Sequence, residues 1–174
     1  LSPIPGTEKE YACDTLILSV GLIPENELTW MAGAKEDLGT RGPVVDEHYQ
    51  TTVPGIFAAG NVLHVHDLVD FVSLEAEALA DGAARFIQEG ALPACPLTVK
   101  GDSLVGQLTP GRCSGQEDVT ISFRVRRPLK NCSIEVCQGE KVIRRVRKPK
   151  ALPAEMIQMY LKAEEVNPIE DLGV

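Results

Sequence analysis

Residues 51–62, Thr-Thr-Val-Pro-Gly-Ile-Phe-Ala-Ala-Gly-Asn-Val, join a turn to an apolar run that ends on Gly60 and Asn61. The apolar run predicts a short buried strand over residues 55–59. A ligand can approach the backbone closely at a glycine, because glycine has no Cβ, and an asparagine amide both donates and accepts hydrogen bonds. The pair therefore suits either a site for hydroxyl or phosphate oxygens or an internal turn, and these residues alone leave both open.

His64 and His66 follow this segment and are the next residues that could do chemistry. On an extended connection both rings would share one face, which a metal site needs but which does not suffice for one. We predict no metal here. A role beside a cofactor or substrate and a role in plain packing both stay open.

The five cysteines, an odd number without a C-x-x-C pair, are predicted to be reduced thiols. Cys132 and Cys137 lie five positions apart on a predicted strand and thus on opposite faces. This spacing disfavours both a zinc site and a disulfide, and buried or incidental thiols are the simpler interpretation. The full set is Cys13, Cys95, Cys113, Cys132 and Cys137.

A helix is predicted after Asn61, because apolar residues recur at helical spacing between Val72 and Ile87. Asp70 or Ser73 is predicted to cap its start. Its N-terminus would return toward the strand end and offer unpaired N–H groups and a partial positive charge there. The predicted apolar face consists of Val72, Ala76, Leu79, Ala80, Ala83 and Ile87, and Glu75, Glu77 and Asp81 are predicted to face elsewhere.

Two further strands are predicted upstream of this motif. Residues 14–20, Asp-Thr-Leu-Ile-Leu-Ser-Val, are continuously apolar in their centre, which is typical of a strand covered on both faces. Residues 43–46 predict a shorter strand.

Residues 51–62 resemble the second flavin-contacting motif of the FAD-dependent pyridine nucleotide-disulfide oxidoreductases, which reads roughly T-x-x-P-G-I/V-F/Y-A-x-G-D. Residues 14–28, DTLILSVGLIPENEL, resemble the segment where that family returns from the NAD(P)-binding to the FAD-binding domain. The helix ending in residues 82–87 resembles its alanine-rich helix behind the flavin. The resemblance covers residues 11–90 and implies an α/β fold of partial Rossmann-like FAD- and NAD(P)-binding domains.

The resemblance also implies a cofactor site, in which Gly60 and Asn61 lie against the ribityl and phosphate part of FAD. The family has aspartate where Asn61 stands, so hydrogen bonding can be kept while a charge is lost. The next flavin contact corresponds to Leu68, Val69 and Asp70, where helix N–H groups would stabilise negative charge on the reduced ring. We read Asp70 there as an N-cap and assign no catalytic residue.

Three features of that family are absent from the 174 residues: the G-x-G-x-x-G turn that grips each nucleotide, the redox-active cysteine pair and the C-terminal His-x-x-x-x-Glu pair. The chain begins with Leu1 rather than Met, and we expect it to be a piece of a longer protein that carries the nucleotide-binding turns. FAD and NAD(P) are the expected cofactors, and this piece alone is expected to bind neither tightly.

Charge divides the chain into two predicted domains, 1–92 and 93–174. Residues 1–92 carry 4 basic and 15 acidic side chains, a net charge of −11, whereas residues 93–174 carry 13 and 10, a net charge of +3. No apolar run reaches the ~18 residues of a membrane span, and no N-terminal export signal is visible. Together with the predicted thiols, this indicates a cytoplasmic protein.

Residues 97–174 predict a small all-β domain, sandwich-like or an open barrel. Residues 119–126 alternate between apolar and polar, the pattern of a half-buried antiparallel strand. A turn is predicted at residues 138–140. Further strands are predicted at 97–100, 104–108, 134–136, 142–146 and 156–161, the last of which could also be a short helix.

Residues 141–150, KVIRRVRKPK, hold six basic side chains in ten positions. Nucleic acid is a weak interpretation, because no aromatic residues interleave and the whole chain is acidic. A solvated strand face is the simplest interpretation, and an acidic partner surface, including the −11 domain itself, stays open.

Two functions are compatible with these observations. The first is the C-terminal portion of a flavoprotein oxidoreductase that moves hydride between NAD(P)H and FAD and passes electrons to a small-molecule substrate or an acceptor protein. The second is a binding or assembly module, in which the flavin-like half is scaffold and the β domain docks a partner. Neither nucleic acid nor a membrane is a predicted partner, and a homo-oligomer stays open.

Overall fold

Helices and strands occupy different halves of the chain. The computed structural model describes residues 3–19 and 21–174. Two helices come first in this described part, α1 (Glu27–Met31) and α2 (Val69–Glu89), with a 3₁₀ turn at Gly60–Val62 between them. The strands follow as β1 (Leu97–Lys100), β2 (Val105–Thr109), β3 (Arg112–Cys113), β4 (Val119–Val125), β5 (Leu129–Gln138), β6 (Lys141–Ala151), β7 (Ile157–Leu161) and β8 (Leu172–Gly173), with a 3₁₀ turn at Ala163–Glu165.

The strands of the described residues form two sheets around one apolar core. One sheet has the order β3-β1-β8-β5-β6 and the other the order β2-β4-β7. β1 and β8 pair in parallel, and the other named pairs are antiparallel. Side chains from both sheets meet in the core, and the largest of them that are fully buried are Phe123, Ile121, Leu161, Leu172 and Val136.

Several strand predictions are confirmed. Residues 97–100 form β1, residues 119–125 form the antiparallel strand β4, and residues 157–161 form a strand rather than a helix. The predicted turn joins β5 to β6 through Gly139 and Glu140. The prediction that β4 is buried on one face only is wrong, since Ser122 and Arg124 are buried as well.

Arg124 explains why the second face of β4 is covered. Its guanidinium donates to the carbonyl of Val65 at 3.0 Å and to Asp67 Oδ1 at 3.1 Å. The connection before α2 therefore packs over the face of β4 that the alternating pattern assigns to solvent. The predicted domain boundary after residue 92 falls between the end of α2 and the start of β1 and stays a prediction.

The strand predicted at residues 14–20 is wrong over residues 14–19, and residue 20 lies outside the described residues. Leu16, Ile17 and Leu18 are 73%, 86% and 74% exposed. A buried strand needs hydrogen-bonded neighbours and cover on both faces, and no described segment pairs with these residues.

The strands predicted at residues 43–46 and 55–59 are also wrong, because these segments form isolated bridges only. The bridges join Glu36 to Pro43, Val45 to Thr51 and Gln50 to Phe57. Asp46 Oδ1 accepts the N–H groups of His48 and Gln50, both at 3.0 Å. Local side-chain bonds of this kind take the place of strand pairing.

The predicted cap of α2 is corrected by the structure. Leu68 is the N-cap, no side chain caps the helix, and Asp70 lies in its first turn. Ser73 donates to the carbonyl of Val69 instead of capping the start. Among the described helices, none combines the length and apolar character that crossing a membrane requires.

The predicted buried face of α2 is wrong as well. Its buried residues are Glu75 and Gly82, whereas Ile87 is 81% exposed. A Cβ at Gly82 would lie 2.5 Å from the carbonyl oxygen of His48. The helix backbone therefore packs directly on the loop around residue 48, and the face it buries is set by this close approach and by Glu75 rather than by its apolar residues.

Candidate functional site

Gly60 opens the 3₁₀ turn and faces the start of α2. It is buried with a φ of +69°, and a Cβ there would lie 3.2 Å from Val72 Cγ1. Its N–H donates to Glu75 Oε2 at 2.8 Å. Packing against α2 and the positive φ are thus enough to require glycine at position 60. The Gly60 N–H already has a hydrogen-bond partner in Glu75. Direct contact of Gly60 with a cofactor stays a prediction.

Asn61 and the start of α2 lie side by side at the surface and form an open corner. Asn61 is exposed, and its Oδ1 accepts the N–H of His66 at 3.1 Å. Leu68 and Val69 are 52% and 74% exposed, and Asp70 is exposed beside them. The N-terminus of this 21-residue helix has no side-chain cap, so its first N–H groups are available to an acceptor.

A buried cluster of His64, His66 and Glu75 lies beneath this corner. His64 Nε2 is 2.6 Å from Glu75 Oε1, and His66 Nε2 is 3.0 Å from Glu75 Oε2. The side chains are 0%, 3% and 5% exposed, and the two imidazole centroids are 4.2 Å apart. Because an ionised carboxylate only accepts, both Nε2 atoms are the donors.

The Glu75 carboxylate is held ionised by these donors. Burial alone would raise its pKa, but the hydrogen bonds from His64, His66 and the Gly60 N–H outweigh it and lower the pKa from 4.5 to about 2. Glu75 thus ties α2 to both histidines and to the turn at Gly60. The cluster fixes the position of Asn61 relative to the helix start.

The sequence prediction captured half of this cluster. It placed the two histidine rings on one face, and the structure brings both to one carboxylate. It assigned Glu75 to the outer face of the helix, which is wrong. The available signal was a His-x-His pair immediately before a helix with an acidic residue in its second turn. The direct contacts of 2.6 and 3.0 Å make this a hydrogen-bonded cluster, and the absence of a metal there stays a prediction.

A cavity of about 320 Å³ lies between α2 and β4, next to Glu75. Its walls combine apolar side chains with Asp46, Glu47 and Asp118. Tyr49 also lines it, and burial, helped by the charge of Glu75, raises the pKa of this phenol. Carboxylates around the cavity disfavour an anionic ligand such as a phosphate. The open corner at Asn61 suits phosphate and hydroxyl oxygens better.

The first half of the chain is similar to an oxidoreductase family. Residues 2–82 match the family model described as pyridine nucleotide-disulphide oxidoreductase. This agrees with the resemblance of residues 51–62 to that family's flavin-contacting motif.

Known relatives match a similar length of chain. Dihydrolipoyl dehydrogenase, mitochondrial, of Caenorhabditis elegans is 39% identical over 82 residues, which are 44% of this chain and 17% of that protein. The glutamate synthase [NADPH] small chain of Escherichia coli (strain K12) is 29% identical over 90 residues, 49% of this chain and 19% of that protein. Ferredoxin–NADP reductase of Leuconostoc mesenteroides is 32% identical over 80 residues, 44% and 24% of the two chains.

The chain thus spans between 17% and 24% of the length of these three relatives. No solved structure matches it significantly.

Proposed function

We propose that residues 1–92 complete the nucleotide-binding part of a flavoprotein oxidoreductase, which moves hydride between NAD(P)H and FAD and passes electrons to an acceptor. The observation that carries the proposal is the exposed Asn61 beside the uncapped start of α2, within residues that match an oxidoreductase family. An open amide and free helix N–H groups are the donors that a dinucleotide cofactor requires.

The chain's own residues would hold FAD rather than react. FAD supplies the hydride and electron chemistry when it is bound. The Asn61 amide would exchange hydrogen bonds with the hydroxyl groups of the ribityl part and accept from at least one of them. The N–H groups at Val69 and Asp70 would stabilise negative charge on the flavin ring, and the cluster of His64, His66 and Glu75 would hold these donors in place.

The test is the visible spectrum of the complete protein that contains this chain. We expect an oxidised flavin spectrum that bleaches anaerobically with NADH or NADPH. Asn61→Leu should lower the retained FAD about tenfold, the cost of one or two lost polar contacts. Asn61→Asp should retain it, because aspartate keeps an acceptor at this position. Gln88→Leu, at the exposed far end of α2, is the matched control. A colourless protein would contradict the proposal and favour an assembly module.

Residues 93–174 would act as a separate, sandwich-like domain with a docking surface. Lys130 lies directly opposite Lys150 on β5 and β6, and Cys132 lies opposite Lys148. Like charges in opposed positions destabilise a sheet. Near the hairpin turn, by contrast, Arg145 pairs with Glu135 at 2.7 Å and Arg144 with Glu165 at 3.1 Å.

The unneutralised end of this hairpin supports an acidic protein as the acceptor. Lys130, Lys148 and Lys150 form no ion pair with a described residue. An acidic partner would supply the missing counter-charge and speed association. One relative is named ferredoxin–NADP reductase, so a ferredoxin is the first acceptor to try. The proposal includes no nucleic acid and no membrane, keeps the cytoplasmic location, and leaves open a small-molecule acceptor and a homo-oligomer.

Charge reversal tests this docking surface. Lys130→Glu with Lys150→Glu should raise the KM for a reduced or oxidised ferredoxin about tenfold or more at low salt and leave electron transfer to a small neutral quinone unchanged. Lys35→Glu, an exposed residue of the first half, is the control. Equal effects on ferredoxin and quinone would contradict docking at the hairpin.

A further inference from the structure

A second cluster of chemically active side chains lies where the helical half meets the strands. Glu47 and His48 come from the loop that α2 packs on, and Cys95 lies in the connection between α2 and β1. One oxygen, one nitrogen and one sulfur atom of these residues all lie within 4.8 Å of one another. Glu117, from the connection between β3 and β4, brings a second carboxylate to within 3.8 Å of His48 Nε2.

The separations in this cluster differ from those in the His64, His66 and Glu75 cluster. His48 Nε2 is 3.9 Å from Glu47 Oε1 and 3.8 Å from Glu117 Oε2, and Cys95 Sγ is 3.9 Å from Glu47 Oε1. The two nitrogen-to-oxygen distances are too long for hydrogen bonds. Cys95 Sγ donates a weak hydrogen bond to Glu47 Oε1, whereas His48 Nε2 stands close to both carboxylates without bonding either.

His48 Nε2 and the other carboxylate oxygen of Glu47, Oε2, are buried without a partner in the described part of the chain. The side chains of Glu47 and His48 are 3% and 11% exposed, and Glu47 Oε2 and His48 Nε2 have no hydrogen-bond partner among the described residues. A buried unsatisfied polar atom costs about 1–3 kcal/mol. Such atoms in a native protein call for an explanation, of which an ion is one.

We propose that Glu47, His48 and Cys95 bind Zn²⁺, with Glu117 as the fourth ligand. Thiolate, imidazole and carboxylate together are a zinc-type donor set. Zinc bonds of about 2.0 Å to nitrogen or oxygen and 2.3 Å to sulfur place tetrahedral ligands about 3.3–3.5 Å apart. The three separations of 3.8–3.9 Å would close by about half an ångström on binding, and the Glu117 carboxylate would also move toward Glu47 and Cys95.

Charge and position define the role of this site. Arg85 already binds Glu117 Oε1 at 2.7 Å, which leaves Oε2 toward His48. The Ser114 N–H binds Glu47 Oε1 at 3.1 Å and orients that carboxylate. On binding, the Cys95 thiol releases its proton to solvent and its sulfur bonds the metal. Four protein ligands leave no open position, so the zinc is structural and joins the loop at residues 47–48 to the connections that hold Cys95 and Glu117.

The first test measures zinc on the complete, reduced protein. After incubation with Zn²⁺ and gel filtration, elemental analysis should find one zinc per chain, irrespective of flavin content. Cys95→Ser and Glu47→Gln should each lower the retained zinc about tenfold or more. Cys132→Ser, a half-buried cysteine of β5, is the matched control and should retain it. No stoichiometric zinc in the wild type, or an equal loss in Cys132→Ser, would overturn the proposal.

Two further measurements need no variant and cover the case in which a substitution prevents folding. Co²⁺ should produce a thiolate-to-cobalt absorption band together with intense tetrahedral bands. Zn²⁺ should also slow alkylation of Cys95 about tenfold while alkylation of the exposed Cys13 is unchanged. A Co²⁺ spectrum typical of octahedral oxygen ligands, or equal alkylation of Cys95 with and without Zn²⁺, would contradict the site. The outcome is separate from FAD binding, because no readout uses flavin.

Discussion

The two halves of the chain are stabilised by different contacts. In residues 97–174, apolar side chains of two sheets bury one another, with Phe123, Ile121 and Leu161 fully enclosed. In the described part of residues 1–92, the buried apolar cluster comprises Val45, Ala58 and Leu63. The most connected interior group there is instead the polar set around Glu75.

The difference shows which half has its own core. Apolar side chains that stay in water forgo about 1.5–3 kcal/mol each relative to full burial, and the first half leaves many of them outside. The set includes Leu16, Ile17, Leu18, Leu22, Ile23, Leu28, Met31 and Ile87. A further layer that covers them would stabilise this half, as the proposed nucleotide-binding domains of a longer protein would.

The largest expected effect is the loss of stability when a leucine of the β half is truncated to alanine, and the same truncation in the first half is its comparison. Leu161→Ala, at a fully buried position of β7, should lower the free energy of unfolding by about 2–5 kcal/mol, because it removes contacts and leaves a cavity. Leu16→Ala, at a position 73% exposed, should change it by less than about 0.5 kcal/mol. Urea unfolding of the 174-residue chain measures both. Equal losses would show that residues 14–19 are packed in solution.

The second prediction concerns the polar interior of the first half. The pKa of Glu75 is about 2 in the folded chain, against 4.5 for a glutamate in an unfolded one. A depressed acid pKa stabilises the fold above pH 4.5, and this stability is lost as the pH falls from 4.5 toward 2. The lowered pKa of Glu75 therefore contributes about 3 kcal/mol at most to the free energy of unfolding.

Glu75→Gln should remove this contribution and with it much of the loss of stability between pH 5 and 2.5. Amide hydrogen exchange at residues 60–66 measures the local effect, and urea unfolding the global one. Glu77→Gln, exposed on the same helix, is the control and should keep the wild-type pH dependence. A wild-type curve that is flat over this range would contradict the assigned role of Glu75.

The two halves also differ in how well the sequence predicts them. In β1 and β7, the strand pattern reports the structure correctly, because it is satisfied by neighbours within the same 78 residues. In β4 it predicts the strand but not the cover that Val65 and Asp67 give to the second face. Residues 14–19 carry an equally clear strand pattern, yet no described neighbour pairs with them. A pattern of apolar residues indicates the surroundings for which a segment is suited, and the described residues do not supply those surroundings to residues 14–19.

The candidate site is predictable only in part for a similar reason. The motif identifies Gly60 and Asn61, and the spacing of His64 and His66 predicts a shared face. The burial of Glu75 cannot be predicted from the pattern of apolar residues. It depends on three hydrogen bonds that the carboxylate accepts from other parts of the chain, and these allow a charged side chain to lie in the interior. Likewise, Glu47 and Cys95 are 48 positions apart, and no local spacing predicts that they meet.

The smallest expected effect isolates the turn that joins the polar cluster to the open corner. Gly60→Ala should destabilise the chain by about 1–2 kcal/mol, because alanine is unfavourable at a φ of +69° and its Cβ would lie 3.2 Å from Val72 Cγ1. Gly90→Ala, at a φ of +78° with no atom within 4 Å of the Cβ, carries the conformational cost alone. Val72→Ala removes the steric neighbour, so the double variant Gly60→Ala with Val72→Ala should be less destabilised than the sum of the two single variants.

Strict additivity in urea unfolding would mean that the turn relaxes away from α2. The glycine would then serve the backbone conformation only, and close packing against the helix would not be what fixes Asn61.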